Sequence, residues 1–237
     1  MFNTIFNNIY TLVIGKFYSA RDLGNYSRAN HYAQMASSQL NGIFSGVAFP
    51  MLCSIQNDME RLARVYRQYL RVIAFIVFPL MVGMSAVAKP LIIVMLTEKW
   101  IDVVGLLQII CLSMMWYPVH AINLSLLQVK GRSDLFLRLE VIKKIIIVIV
   151  MCITVPISIK AMVIGSLCTS LICLFINTYY TGKLINVGYL KQMKDLLPIL
   201  LLALFMGLCV YIITLVVPGY LLQLIIGVIS GMIIYVG

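Results

Sequence analysis

The sequence predicts an all-α protein that crosses a membrane several times, and its composition and hydrophobic runs carry that prediction. Hydrophobic residues make up 62% of the 237 residues and charged residues 11%, whereas soluble domains have about 45–50% and about 25%. The apolar residues form several runs close to the ~20 residues that a membrane-spanning helix needs. A transmembrane β-barrel would instead show alternating segments of about ten residues. We therefore predict a polytopic bundle of transmembrane helices.

Eight hydrophobic segments are predicted, at about 1–19, 29–52, 72–88, 103–128, 143–158, 160–182, 196–217 and 221–237. The stretch Lys89–Trp100 is too charged to span, so we expect an interfacial helix or loop there, with Trp100 at the membrane surface. The basic stretch Asn57–Ile73 places its arginines and its apolar residues on different helical faces. That pattern predicts an amphipathic cytoplasmic helix at about 57–71, lying at the inner headgroup layer.

The net charge of +10 lies in short loops between the segments, which favours lipid headgroups over nucleic acid as its partner. The loops after segments two, four and six hold twelve lysines and arginines, and the opposite side holds six. Because basic loops stay in the cytoplasm, the N-terminus of this chain is predicted to be cytoplasmic. The polar stretch Gly15–Asn30 then faces outside.

Polar residues line up on four of the segments. Segment two has Asn30, Gln34, Ser38, Asn41 and Ser45 on one stripe. Segment four has a comparable stripe beside Pro118, which should kink the helix. Comparable stripes on segments one and six hold Asn3, Asn7, Thr11, Ser166, Ser170, Cys173 and Asn177. Such stripes suit a hydrated central cavity, although polar residues in membrane helices also simply bond to neighbouring helices.

The candidate cavity residues are Asn7, Arg28, His31, Gln34, Ser38, Asn41, His120, Asn123 and Asn177. Arg28 and His31 lie at the outer end of segment two. Arg28 is either a headgroup anchor or a cation that meets an anionic substrate such as a pyrophosphate. His120 is either a proton-coupling group or a hydrogen-bonded cavity histidine.

No enzymatic site emerges from the sequence. The chain has only two histidines, and no acidic residue lies in the middle of a predicted span. Its six cysteines lie in apolar runs without the spacing of metal ligands. We therefore expect a protein that is not an enzyme and holds no metal or cofactor.

Four stretches together resemble the Wzx-type oligosaccharide flippases, the polysaccharide biosynthesis family within the superfamily that includes the MATE exporters. They are "GKFYSARDLGNYSRAN", "VAFPMLCSIQND", "RVYRQYLRVIAFIVFPLMVGMSAVAKPLIIVMLTEKW" and "WYPVHAINLSLLQVKGRSDLFLRLEVIKK". The resemblance implies two six-helix bundles, often followed by two further helices. By this resemblance, residues 1–182 are the second bundle and residues 183–237 the two additional helices.

The resemblance also implies a function and a location. Such proteins move undecaprenyl-pyrophosphate-linked oligosaccharides across the bacterial inner membrane by alternating access. Segment eight stops at Gly237 without a polar flank, so we expect a C-terminal portion whose partners are the lipid bilayer, the lipid-linked oligosaccharide and a missing N-terminal bundle. No partnership with nucleic acid is expected.

Three alternatives remain open at this point. A drug or cation antiporter of the same fold should have a buried acidic residue. A membrane glycosyltransferase or polymerase should have large external loops with catalytic groups. A non-functional fragment would keep the family pattern without the activity.

Overall fold

The structure is a computed structural model that describes residues 8–236, and every regular element in that range is helical. The α-helices in chain order are α1 Ile9–Phe17, α2 Ala20–Ser54, α3 Met59–Ala86, α4 Ala88–Leu96, α5 Asp102–Met114, α6 Tyr117–Val129, α7 Ser133–Thr154, α8 Ile159–Ile185, α9 Tyr189–Val216 and α10 Tyr220–Val236. The prediction of an all-α transmembrane bundle is confirmed.

Four helical stretches in the described range are long and apolar enough to cross a membrane. They are α3, the α5–α6 pair over Asp102–Val129, α8 and α9. A shorter apolar helix covers Tyr220–Tyr235. Among the contacts between these elements, α9 packs most extensively against α3 and also against α10, α2 packs against α5 and α6, and α7 packs against α8.

Helix α2 begins at Ala20, well before the boundary predicted at residue 29. Ser19 caps the helix, because its Oγ accepts the backbone N–H of Asp22 at 3.2 Å. Arg21 forms an ion pair with Asp102 of α5 at 2.8 Å. The polar stretch Gly15–Asn30 is therefore the end of α1, a two-residue turn and the first turns of α2.

The basic amphipathic stretch at 57–71 is not a separate helix. It forms the first half of α3, which runs unbroken from Met59 to Ala86. The buried residues of α3, from Leu62 to Val82, form one continuous face. Arg67 also makes a two-pronged ion pair with Asp195 of α9, with Nε–Oδ2 at 2.6 Å and Nη2–Oδ1 at 2.8 Å. This contact and the apolar face hold the basic half against the bundle.

Helix α7 starts at Ser133, ten residues before the predicted segment 143–158. Lys143 and Lys144, which are counted among the twelve basic loop residues, therefore lie near the middle of the helix. Glu140 pairs with Lys143 at 3.2 Å in the same part of the helix, outside the predicted segment.

The stretch Lys89–Trp100 forms most of α4 and then a short 3₁₀ turn at Glu98–Trp100. Thr97 between them has a positive φ of 77°. This agrees with the expectation of a helix or loop that does not span.

The predicted kink at Pro118 is present as the break between α5 and α6. Proline has no N–H, so Pro118 cannot donate to the carbonyl of Met114 four residues earlier. The hydroxyl of fully buried Ser37 in α2 donates to that carbonyl at 2.8 Å. The bend is thus stabilised by a neighbouring helix.

Pro79 in α3 shows the same arrangement. The carbonyl four residues before it belongs to Phe75, and the hydroxyl of Tyr235 in α10 donates to it at 2.9 Å. The rings of Phe75 and Tyr235 also meet, with centroids 4.9 Å apart. This contact attaches α10 to α3.

Replacing Ser37 with alanine tests the support of the kink. We expect the full-length protein carrying Ser37→Ala to lose about 1–3 kcal/mol of unfolding free energy, because the Met114 carbonyl loses its donor inside the bundle. The measurement is denaturant unfolding in detergent, followed by circular dichroism. The control is Ser38→Ala, whose exposed hydroxyl bonds only to Gln34 of its own helix and whose loss should cost under about 0.5 kcal/mol. Equal losses in the two variants would contradict the role given to Ser37.

Candidate functional site

The predicted cavity residues divide into an exposed group and an interior group. Arg28, His31, Gln34 and Ser38 are exposed on α2. Asn123 and Asn177 are buried, and His120 is partly buried between them and neighbouring helices. Asn7 lies outside the described residues, as does the side chain of Asn41.

The exposed group forms a polar face along the first half of α2, defined by Arg28, His31, Gln34 and Ser38. At about 100° per residue they spread over about 120° of the helix surface, with Arg28 at one edge and Gln34 at the other. The guanidinium of Arg28 lies 5.7 Å from the centroid of the Trp100 ring, which is a cation–π distance. The Trp100 ring thus positions Arg28, and the side of α2 that carries Arg28 remains exposed.

His120 is at the centre of the first interior network. Its Nδ1 lies 3.1 Å from the amide nitrogen of Asn177, and its Nε2 lies 3.1 Å from the hydroxyl of Ser170. An amide nitrogen can only donate, so Nδ1 is the acceptor and the ring proton sits on Nε2. Ser170 in turn donates to the carbonyl of Ser113 at 3.4 Å. The network joins α5, α6 and α8.

Asn123 is at the centre of the second interior network. Its amide oxygen accepts from Thr181 at 2.7 Å and from Gln192 at 3.3 Å. Its amide nitrogen donates to the Val119 carbonyl at 2.8 Å and to Gln192 at 3.2 Å. These four bonds occupy both ends of the Asn123 amide and tie α6 to α8 and α9. Thr181 and Gln192 are fully buried.

Two buried oxygens in this interior lack a hydrogen-bond partner among the described residues. They are the side-chain oxygen of Asn177 and the hydroxyl of Tyr66. Both lie beside the networks, since Asn177 bonds to His120 and the Tyr66 hydroxyl lies next to Gln192. These two oxygens are the points where this interior could take part in a further hydrogen bond.

Sequence reasoning missed the charged pair Glu140–Lys143. Its lysine lies close enough to His120 and Cys173 to interact with them electrostatically. The two side chains are 25% and 14% exposed, so this pair is largely sheltered. Their i, i+3 spacing directly before the apolar second half of the helix was the available signal.

The arrangement offers binding groups and no catalytic constellation. Within residues 8–236, no group of three or more histidine, cysteine, aspartate or glutamate side chains comes together as a metal site would require. What the described residues present is an open polar face on α2 beside a closed, hydrogen-bonded interior.

Residues 1–105 match a family described as polysaccharide biosynthesis protein. The chain is 32% identical over 146 residues to an uncharacterized membrane protein in the cps region of Klebsiella pneumoniae, which covers 62% of this chain and 30% of that protein. It is 30% identical over 141 residues to the lipopolysaccharide biosynthesis protein WzxC of Escherichia coli (strain K12), covering 60% of this chain and 29% of WzxC. The teichuronic acid biosynthesis protein TuaB of Bacillus subtilis (strain 168) is 28% identical, with 56% and 28% covered.

The fold is similar to that of the lipid II flippase MurJ in an inward closed conformation, with a TM-score of 0.77. That similarity covers 98% of this chain and 50% of MurJ at 18% identity, and it concerns the fold alone. The chain spans between 28% and 30% of the length of the three relatives named above. These findings confirm the resemblance drawn from the motifs: the chain is a multi-pass membrane protein that is similar in sequence to polysaccharide biosynthesis proteins and similar in fold to MurJ.

Proposed function

We propose that this chain is the C-terminal portion of a flippase that carries lipid-linked oligosaccharides across the bacterial inner membrane. Its relatives by sequence include proteins of lipopolysaccharide and teichuronic acid biosynthesis, and the succinoglycan biosynthesis transport protein ExoT of Rhizobium meliloti (strain 1021). The substrate is an undecaprenyl-pyrophosphate-linked unit, and transport proceeds by alternating access. Residues 1–182 are the second bundle and residues 183–237 the additional helices.

The polar face of α2 is the observation that carries this proposal. A sugar headgroup with two phosphates cannot enter hydrocarbon without losing hydration that must be replaced. Arg28 supplies a cation for phosphate, and His31, Gln34 and Ser38 supply donors and acceptors for hydroxyls. These side chains are exposed in this chain, so they are available to a substrate and to the N-terminal bundle that we propose faces them.

The interior residues have a structural role in the proposal. His120 bonds to Ser170 and Asn177, and Asn123 bonds to Gln192, all inside the bundle. In this conformation they tie helices together, and they contact substrate only if transport opens the interior.

The orientation proposed from the loops keeps the N-terminus of this chain in the cytoplasm. By the loop count, twelve basic residues fall on the proposed cytoplasmic side and six on the other. The excess has the sign that the positive-inside rule requires.

An antiporter of the same fold is a weaker candidate. It needs a carboxylate that is free to exchange a cation. Glu140 is the one sheltered mid-helix carboxylate of α7, and it is paired with Lys143 at 3.2 Å. An internal lysine therefore already neutralises it.

Substitutions on the polar face should lower transport without unfolding the protein. We expect Arg28→Ala in the full-length protein to reduce surface glycan export roughly tenfold or more, because a charged hydrogen bond to phosphate contributes about 1.5–3 kcal/mol. The readout is surface glycan in a strain that lacks its own flippase, together with lipid-linked units left on the inner leaflet. The matched control is Met35→Ala, an exposed apolar position on the same helix. Wild-type export by the Arg28 variant would contradict the proposal.

Substitution of Asn123 should lower the stability of the protein and leave transport unchanged. Asn123→Leu removes one hydrogen-bond partner of Thr181 and of Gln192, which keep the carbonyls of Asn177 and Val187. We expect a loss of about 1–3 kcal/mol in unfolding free energy. Export per folded molecule should stay near wild type. A stable variant with export abolished would place Asn123 in the transport path.

Thiol labelling tests the orientation. In a cysteine-free version of the full-length protein, Gln56→Cys lies between α2 and α3, and Ser158→Cys caps α8. We expect a membrane-impermeant maleimide to label only Ser158→Cys in intact spheroplasts, and both positions after lysis. The reverse pattern would invert the proposed topology.

A further inference from the structure

A cleft of about 590 Å³ lies where α8 ends and α9 begins. It is built from helices other than the one that carries the polar face of α2. Its lining consists of Phe175, Tyr179, Gly182, Lys183, Asn186, Gly188, Tyr189 and Lys191. None of these described lining residues is acidic.

A sharp chain reversal shapes the cleft. A methyl group at Gly182 would lie 2.6 Å from the Cα of Gly188, so only glycine allows the two segments to approach this closely. Asn186 adopts the left-handed conformation, with φ of 57°, which asparagine tolerates better than most residues. The turn therefore brings the last turns of α8 beside the first turn of α9.

Two lysines with fixed neighbours give the cleft its charge. The ammonium of Lys183 lies 4.7 Å from the centroid of the Tyr179 ring. Lys191 donates to the carbonyl of Asn186 at 2.8 Å. Both side chains are otherwise exposed. At the start of α9, Gly188 provides no side chain to cap the helix, so the backbone N–H groups of the first turn have no side-chain acceptor of their own cap.

The level of the cleft within the membrane favours a lipid as its ligand. Helices α8 and α9 are both candidate membrane spans, of 27 and 28 residues, and three residues connect them. Their junction must lie near the membrane–water interface, where lipid phosphates are found. The rings of Phe175 and Tyr189 pack edge to face with centroids 5.2 Å apart. Aromatic rings at this level contact the upper part of lipid chains.

We propose that this cleft binds the phosphate headgroup of a membrane lipid. Lys183, Lys191 and the first turn of α9 contact the phosphate, and Phe175, Tyr179 and Tyr189 contact the glycerol or prenyl carbons next to it. The phosphate belongs either to an anionic phospholipid of the bilayer or to a polyprenyl pyrophosphate, since both present a phosphate ester at the same depth. The proposal rests on membrane insertion, and in its polyprenyl pyrophosphate form it also rests on the proposed function.

Native mass spectrometry of the full-length protein, purified in neutral detergent, tests this site. Phosphatidylglycerol is the probe in one arm, undecaprenyl pyrophosphate in the other, and phosphatidylcholine is the neutral reference. We expect the wild type to retain at least one anionic probe in preference to phosphatidylcholine. Each single variant, Lys183→Ala or Lys191→Ala, should bind that probe roughly fivefold more weakly, and the double variant roughly thirtyfold.

Matched variants separate lipid binding from loss of structure. Lys160→Ala, at the opposite end of α8, should retain the probe like the wild type. The double variant Lys183→Arg with Lys191→Arg keeps the charge and should restore most of the binding. The arm with the larger loss identifies the lipid. Equal retention by the wild type and the alanine double variant in both arms would overturn the proposal, as would an equal loss in Lys160→Ala. Glycan export is not part of the readout, so this result stands apart from the transport experiment.

Discussion

Backbone carbonyls inside an apolar bundle must find hydrogen-bond donors, and this requirement governs how the helices meet. A helix satisfies its own carbonyls until a proline removes a donor or the helix ends. The carbonyls of Met114 and Phe75 lie four residues before prolines, and hydroxyls of Ser37 and Tyr235 bond to them. At the end of α7 the carbonyl of Val155 accepts from Tyr18. Ser37 and Tyr235 belong to other helices and Tyr18 to the turn after α1, so each bond both supports an irregular backbone and fixes which elements are neighbours.

The same requirement distinguishes polar residues that hold the bundle together from those that remain available. Asn123 has both ends of its amide occupied by Thr181, Gln192 and a backbone carbonyl. A ligand could reach it only by displacing those bonds, and displaced polar groups would be left unpaired at a cost of about 1–3 kcal/mol each. Gln34 and Arg28 are exposed and need displace only water. The α2 face is the better candidate for binding because its polar side chains are exposed to a ligand, whereas those of the interior are already bonded to one another.

Hydrophobic periodicity was sufficient to predict the helical class, the kink at Pro118 and the polar stripes. It could not predict the starts of α2 and α3, because charged residues in their first turns or first half are stabilised by partners far away in sequence. Arg21 pairs with Asp102 and Arg67 pairs with Asp195, and a hydropathy window sees neither partner. The start of α7 was missed although its charged residues pair locally, Arg132 with Asp134 and Glu140 with Lys143. Nor could periodicity tell a cavity-facing stripe from one that pairs with another stripe. His120 and Asn177 show the pattern expected of a cavity, yet each is the other's hydrogen-bond partner.

Under the proposed transport function, these contacts identify the helices that move together as one unit. Alternating access needs packed units that move as bodies. The Asn123 network ties α6, α8 and α9 together, and the Arg67–Asp195 pair adds α3 to that unit through a two-pronged contact. Helix α2 joins the same unit through packing and the Ser37 bond, while its polar face points away. The substrate-facing helix is thus anchored on one side and open on the other, which is the geometry a groove between two bundles requires.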